Sequence, residues 1–63
     1  MRINRKKLVL IMLDKDITQR ELAENSGVSR ATICSVKSGK SCSSETVQKI
    51  AKALDVDVTE IIE

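Results

Sequence analysis

Apolar residues recur along this chain at the three- and four-residue spacing of amphipathic helices, and a polar residue suited to helix capping precedes each apolar stretch. The first such stretch predicts a helix from about Asn4 to Asp14, with Asn4 as its cap. Leu8, Ile11 and Met12 fall on one stripe of this helix. This stripe is therefore the expected contribution of the first helix to a core.

A capping-box pattern, Thr18-Gln19-Arg20-Glu21, predicts the start of a second helix, which continues to about Asn25. Ile17, just before the cap, is placed to pack against Leu22. Gly27 ends this helix, because glycine adopts the left-handed conformation without a steric penalty. Ser29 then caps a third helix that carries Arg30 through Lys37 and stops before Gly39.

Ser43 or Ser44 begins a fourth helix, in which Val47, Ile50, Ala51 and Leu54 form an amphipathic stripe. A second capping box, Asp57-Val58-Thr59-Glu60, predicts a last short helix that carries Ile61 and Ile62. The pattern therefore predicts an all-α fold, a compact bundle of five helices, as a single domain over residues 1–63.

The second and third helices are joined by a turn of about three residues, so they must cross steeply. Ala23 supplies the small side chain that a close approach of the two backbones requires, and Gly27 supplies the turn residue four places later. The inner faces carry apolar side chains, namely Leu22, Val28, Ile33 and Val36. This combination predicts a helix-turn-helix from Thr18 to Lys37; the alternative is an ordinary helical hairpin that binds nothing.

The composition excludes several kinds of chemistry. The chain has no Phe, Tyr, Trp, Pro or His, so Leu, Ile, Val, Ala and Met must build the core. Without histidine, a glycine-rich phosphate loop or a nucleophile beside a base, we expect no enzyme activity. Cys34 and Cys42 are the only cysteines, which cannot complete a four-ligand zinc site, and we expect neither a metal nor a cofactor.

Charge is distributed unevenly along the chain. All eleven Lys and Arg residues lie between Arg2 and Lys52, whereas residues 53–63 carry four acidic residues and no basic one. A protein with a basic region and an acidic end can bind a polyanion through its basic face while the acidic end stays clear of it. The basic start and the six-residue apolar run from Leu8 to Leu13 are too short for a membrane span and lack a cleavage site, so we expect a cytoplasmic protein.

Three segments together resemble the Cro and phage-repressor type of helix-turn-helix, often called Xre-like: residues 18–23, residues 27–33 and Gly39. Thr46, residues 50–54 and Val56 are similar to the fourth helix of that family and its exit. The resemblance implies a five-helix, lambda-repressor-like domain that binds operator double-stranded DNA and regulates transcription. Asp16 and Asp55 stand where that family often has glycine, and Cys42 stands where proline often begins the fourth helix.

The third helix is the predicted recognition helix, over about Ser29–Lys37. At roughly 100° per residue, Ser29, Ile33 and Val36 point to the core, and the opposite face is left for the major groove. The Arg30 side chain can donate hydrogen bonds to guanine O6 and N7, and Ala31 or Thr32 can contact a thymine methyl group. A phosphate contact or a solvated side chain is the alternative for Arg30. In the family, positions matching Arg30, Ala31 and Ser35 commonly face bases, so the predicted base contacts are Arg30, Ala31, Thr32 and Ser35.

Phosphate contacts are expected at helix starts and loops around the recognition helix. Gln19 lies at the first turn of the second helix, and the residue matching it in the family commonly touches the DNA backbone. Arg5 and Lys6 are candidates for the flanking backbone. The predicted set is Gln19, Ser29, Lys37, Lys40, Ser41 and Ser43, although capping alone explains a serine at Ser29.

So small a domain is expected to bind DNA as a homodimer on an inverted repeat. Two surfaces are candidates: Val9 with Leu10 on the first helix, and the end of the chain with Val56, Val58, Ile61 and Ile62. The alternative for the first surface is that Leu13 and Ile17 complete the core. No small-molecule ligand and no membrane contact is expected.

The sequence supports two further hypotheses, one on function and one on Cys34. An adaptor or antitoxin-like module, whose main ligand is another protein, is the alternative function that the apolar first helix supports. Cys34 lies on the predicted DNA face, where oxidation would add bulk and charge, so it is a candidate redox switch; the alternative is a small residue that fits the groove.

Overall fold

The computed structural model describes residues 2–63, which form four α-helices and one 3₁₀ turn. The elements are α1 (Arg5–Asp14), α2 (Gln19–Ser26), α3 (Arg30–Lys37), α4 (Ser44–Ala53) and the 3₁₀ turn Val58–Glu60. The all-α prediction and the four longer helices are confirmed, but the predicted fifth helix is wrong. Its capping box at Asp57 does form, yet Ile61 leaves the helical conformation, because the chain there turns to meet the N-terminal segment.

Side-chain caps define where each helix begins. Asn4 Oδ1 accepts hydrogen bonds from the backbone N–H groups of Lys6 and Lys7, and Ser43 caps α4. At α2 both halves of the capping box are present: Thr18 Oγ1 accepts from the N–H of Glu21, and Glu21 Oε1 accepts from the N–H of Thr18. These contacts satisfy amide donors that a helix start otherwise leaves unpaired.

A residue with left-handed backbone follows each of the four α-helices, including Gly39 after α3 at φ 92°. Gly27 closes α2 at φ 74°, and its N–H donates to the carbonyl of Ala23. Asp16 and Asp55, which stand where the resembled family often has glycine, also adopt positive φ, at 55° and 57°. The turn geometry is thus retained at both aspartates, at the steric cost of a Cβ in this region.

The core lies between the helices and contains only apolar side chains. Its buried members are Ile3, Leu8, Met12, Leu22, Ala23, Ile33, Val36, Val47, Ile50, Ala51, Leu54 and Ile61. Helix α2 packs against both α3 and α4, and α1 packs against α3. Ile17 packs on the edge of this core, but Leu13 is exposed, so the alternative in which both complete the core is wrong for Leu13.

The two ends of the described chain lie side by side. Ile3 and Ile62 form an isolated antiparallel bridge, and the N–H of Asn4 donates to the carbonyl of Ile61 at 2.7 Å. Ile61 is fully buried by this arrangement. It therefore belongs to the core, and its assignment to an exposed dimer surface is wrong.

None of the helices in residues 2–63 has the length and apolar character needed to cross a lipid bilayer.

Candidate nucleic-acid interface

Helices α2 and α3 form the helix-turn-helix that the sequence predicts. Leu22 and Ala23 on α2 are buried with Ile33 and Val36 on α3, so the two helices share one apolar contact. Between them, Gly27 adopts the left-handed conformation that the turn requires. The outer face of α3, opposite this contact, is consequently held in a fixed orientation.

Apart from Arg30, that outer face carries small side chains. Arg30, Ala31 and Cys34 are exposed, and Ser35 is half-buried beside them. The Arg30 guanidinium has no hydrogen-bond or ion-pair partner within residues 2–63. It lies in the first turn of α3, where the helix dipole disfavours a cation, so the structure of the chain alone gives it no stabilising role.

Ser29 and Thr32 are engaged with each other at the start of α3. Their hydroxyl oxygens are 2.8 Å apart, and Ser29 Oγ also accepts from the N–H of Thr32. Ser29 is exposed, so the prediction that it points into the core is wrong: capping holds its side chain at the helix end. Thr32 and Ser35 are both half-buried, but the Thr32 hydroxyl is engaged with Ser29, which leaves it less available than that of Ser35 for a base contact.

Two predicted phosphate contacts lie together across the helix-turn-helix. Lys37 Nζ is 3.5 Å from Gln19 Oε1, so the last residue of α3 meets the first residue of α2. Both side chains are half-buried. The contact places an ammonium group beside the N-terminus of α2, where backbone N–H groups and the helix dipole also favour an anion.

The segment after α3 carries the remaining predicted phosphate contacts. Lys40 and Ser41 are exposed, whereas Ser43 Oγ accepts from the N–H of Thr46 and lies 3.0 Å from the Thr46 hydroxyl. Ser43 is thus occupied as the cap of α4. Like Lys40 and Ser41, it is nevertheless exposed.

Arg2 makes a contact that the sequence did not predict. One of its terminal guanidinium nitrogens donates to the carbonyl of Gly39 at 3.1 Å, so the N-terminal segment is connected to the turn that follows α3. Arg5 and Lys6 border the same shallow depression as Ser38 and Gly39. No local pattern signals this contact, because 37 positions separate its two residues.

The cysteines and acidic residues offer no metal site. Cys34 is exposed, Cys42 is half-buried against the core, and no disulfide joins them. Across residues 2–63, no three side chains of the Cys, Asp or Glu type are grouped as metal ligands.

Residues 7–63 match the family model of the Cro/C1-type helix-turn-helix DNA-binding domain. The chain belongs to that family. The resemblance carried by residues 18–33 is thereby confirmed, and with it the assignment of this chain as a DNA-binding transcriptional regulator.

The fold also matches a solved structure, the crystal structure of the restriction-modification controller protein C.AhdI from Aeromonas hydrophila. The two share 30% sequence identity with a TM-score of 0.83, over 89% of this chain and 86% of the controller protein. No curated protein sequence matches this chain. The comparisons give the adaptor alternative no support.

Proposed function

We propose that this regulator binds a specific double-stranded DNA operator, with α3 in the major groove, and represses transcription there. The observation that carries the proposal is the outer face of α3, where an unpartnered Arg30 stands beside the small side chains of Ala31 and Cys34. A face of this kind lets the helix approach base edges closely while one guanidinium makes a directional contact.

In this arrangement Arg30 donates to guanine O6 and N7, and Ala31 contacts a thymine methyl group. Ser35 is half-buried on the same face and supplies a hydroxyl for either a donor or an acceptor on a base. Thr32 contributes its methyl group, since its hydroxyl is engaged with Ser29. Base contacts from these residues select the sequence.

Phosphate contacts set the orientation of α3 and supply the sequence-independent part of the affinity. The Gln19–Lys37 pair lies at the C-terminal end of α3, and Lys40 with Ser41 follows just beyond it. Ser29 and Ser43 serve first as caps, and their exposed hydroxyls add weaker contacts. The phosphate set therefore borders the recognition helix at both ends.

Two copies are expected on an inverted repeat, with half-sites roughly 34 Å apart so that both recognition helices enter the same side of the duplex. The likeness to a restriction-modification controller protein supports a role in gene control. Selection of bound duplexes from a random pool tests this function. Recovery of an inverted repeat is the expected result, and recovery of unrelated sequences, with no enrichment over a pool lacking protein, would contradict it.

A further inference from the structure

The face of α1 that points away from the core is apolar. Val9 is 37% exposed, Leu10 is 65% exposed and Leu13 is 72% exposed, although Leu8 and Met12 on the opposite side of the same helix are buried. Lys6 precedes them at helical spacing, so Lys6, Val9, Leu10 and Leu13 form a continuous strip, which we call the outer stripe of α1. No other large apolar side chains in residues 2–63 are exposed.

The charges of α1 oppose its own dipole. Arg5, Lys6 and Lys7 occupy the first turn, and Asp14 is the last residue, whereas a helix favours acidic residues at its start and basic ones at its end. Neither Lys6 nor Asp14 has an ion-pair partner in the described part of the chain. Lys7 Nζ donates to the carbonyl of Ile62 at 3.4 Å, whereas the unfavourable charges of Lys6 and Asp14 have no compensating contact within residues 2–63.

A second copy of α1, laid antiparallel across the first, supplies that compensation. Lys6 and Asp14 each lie four residues from Leu10, about 6 Å along the helix axis. A two-fold axis at Leu10 therefore sets each Lys6 opposite the partner's Asp14. The two helix dipoles also run in opposite directions in this pairing, which is favourable.

The apolar side chains fit the same pairing. Leu13 lies three residues beyond Leu10, so it meets the partner's outer stripe between Lys6 and Leu10. A shallow apolar depression of about 430 Å³ lies there, bordered by Arg5, Lys6, Val9 and Leu10. Each Leu13 can seat in this depression as a knob in a hole, with Leu10 of the two copies in contact at the centre.

We propose that the outer stripe of α1 is the surface through which two copies of this chain pair, antiparallel and about a two-fold axis at Leu10. The second candidate surface is less suited, because Ile61 is buried and Val56, Val58 and Ile62 already pack against the core. The proposal rests on the DNA-binding function above in one respect, because the pairing would give that function its two-fold symmetry. Pairing of the free protein in the absence of DNA does not depend on that function.

Charge reversal tests the pairing, with sedimentation equilibrium of the free protein as the measurement. Lys6→Glu alone sets like charges against the partner's Asp14, and Asp14→Lys alone sets like charges against the partner's Lys6. Each single change should weaken dimerisation by about tenfold, and the double variant should restore it. Each change also improves the match to the helix dipole, so at a protein concentration where the wild type is monomeric the thermal midpoint should not fall, and misfolding does not explain a loss.

Leu13→Gln removes the apolar contact and should weaken dimerisation at least as strongly. A wild-type chain that stays monomeric up to millimolar concentration, or single variants that dimerise as tightly as the wild type, would overturn the proposal. Binding to a duplex with one half-site distinguishes failure of the pairing proposal from failure of the proposed DNA-binding function. Leu13→Gln should leave half-site affinity unchanged and reduce affinity for the full inverted repeat, whereas absence of half-site binding by the wild type counts against the proposed function.

Discussion

Lys37 Nζ lies 3.5 Å from Gln19 Oε1, so the end of the recognition helix and the start of the preceding helix share one polar contact. The amide oxygen holds the ammonium group beside the N-terminus of α2, which itself favours an anion. Two side chains that are 18 positions apart in the sequence are thus brought together at one end of α3.

Replacing Lys37 with Gln should weaken binding to specific and random duplexes alike, because a phosphate contact carries no sequence information. The slope of log affinity against log salt should fall by about one. Fluorescence anisotropy across a salt series measures both. Lys52→Gln, an exposed residue of α4, is the matched control and should leave the slope unchanged; equal slopes for wild type and Lys37→Gln would exclude a phosphate contact at Lys37.

Arg30→Ala should lower affinity for the selected operator by about 1–3 kcal/mol, while affinity for random duplex falls much less. Arg30→Lys keeps the charge but loses the two-pronged geometry, so it should recover random binding and little of the specificity. Competition of labelled operator against random duplex measures the ratio. Arg20→Ala serves as the control, since Arg20 is exposed on α2 and pairs with Glu24; an unchanged ratio for Arg30→Ala would assign Arg30 to the phosphates.

Gly27→Ala should reduce the free energy of unfolding by about 1 kcal/mol. A Cβ at Gly27 meets no atom within 4 Å, so the expected cost comes from backbone strain at φ 74° and not from crowding. Gly27→Asn should cost less, because asparagine tolerates the left-handed region better. Urea unfolding followed by circular dichroism gives both values, and equal stability of the alanine variant and the wild type would argue against the left-handed turn.

Asp55→Gly should instead increase the free energy of unfolding. It relieves the steric cost of a Cβ at φ 57°, and the added freedom of the unfolded chain offsets part of the gain, leaving a stabilisation of about 0.5 kcal/mol. The same urea titration measures it. A substantial loss of stability on this change would mean that the Asp55 side chain makes a contribution its backbone conformation does not reveal.

Most of the fold could be predicted because its signals are local. Thr18, Ser29 and Gly27 act on backbone groups within four residues, so the sequence alone placed the starts of α2 and α3 and the end of α2. The alternation of buried and exposed positions along α3 placed Ile33 inside and Arg30 outside. Family resemblance then led from the same residues to DNA binding, which the family match confirmed.

Contacts between distant segments were decided by the tertiary structure. The Arg2–Gly39 and Gln19–Lys37 contacts join residues 37 and 18 positions apart, and no periodicity reports such pairs. The last segment was predicted as a helix from its capping box, but its packing against the N-terminal segment allows only one 3₁₀ turn and buries Ile61.

The sequence by itself determined that this chain is an all-α helix-turn-helix protein, because caps, turns and apolar spacing act over a few residues. The spacing along α1 also placed Leu8 and Met12 inside, but whether Leu13 completes the core depends on how that helix packs against α3, which only the tertiary structure decided. Leu8 and Met12 were taken into the core, and Leu10 and Leu13 were left outside. A helix that is apolar on every side can bury only the side that meets its neighbour.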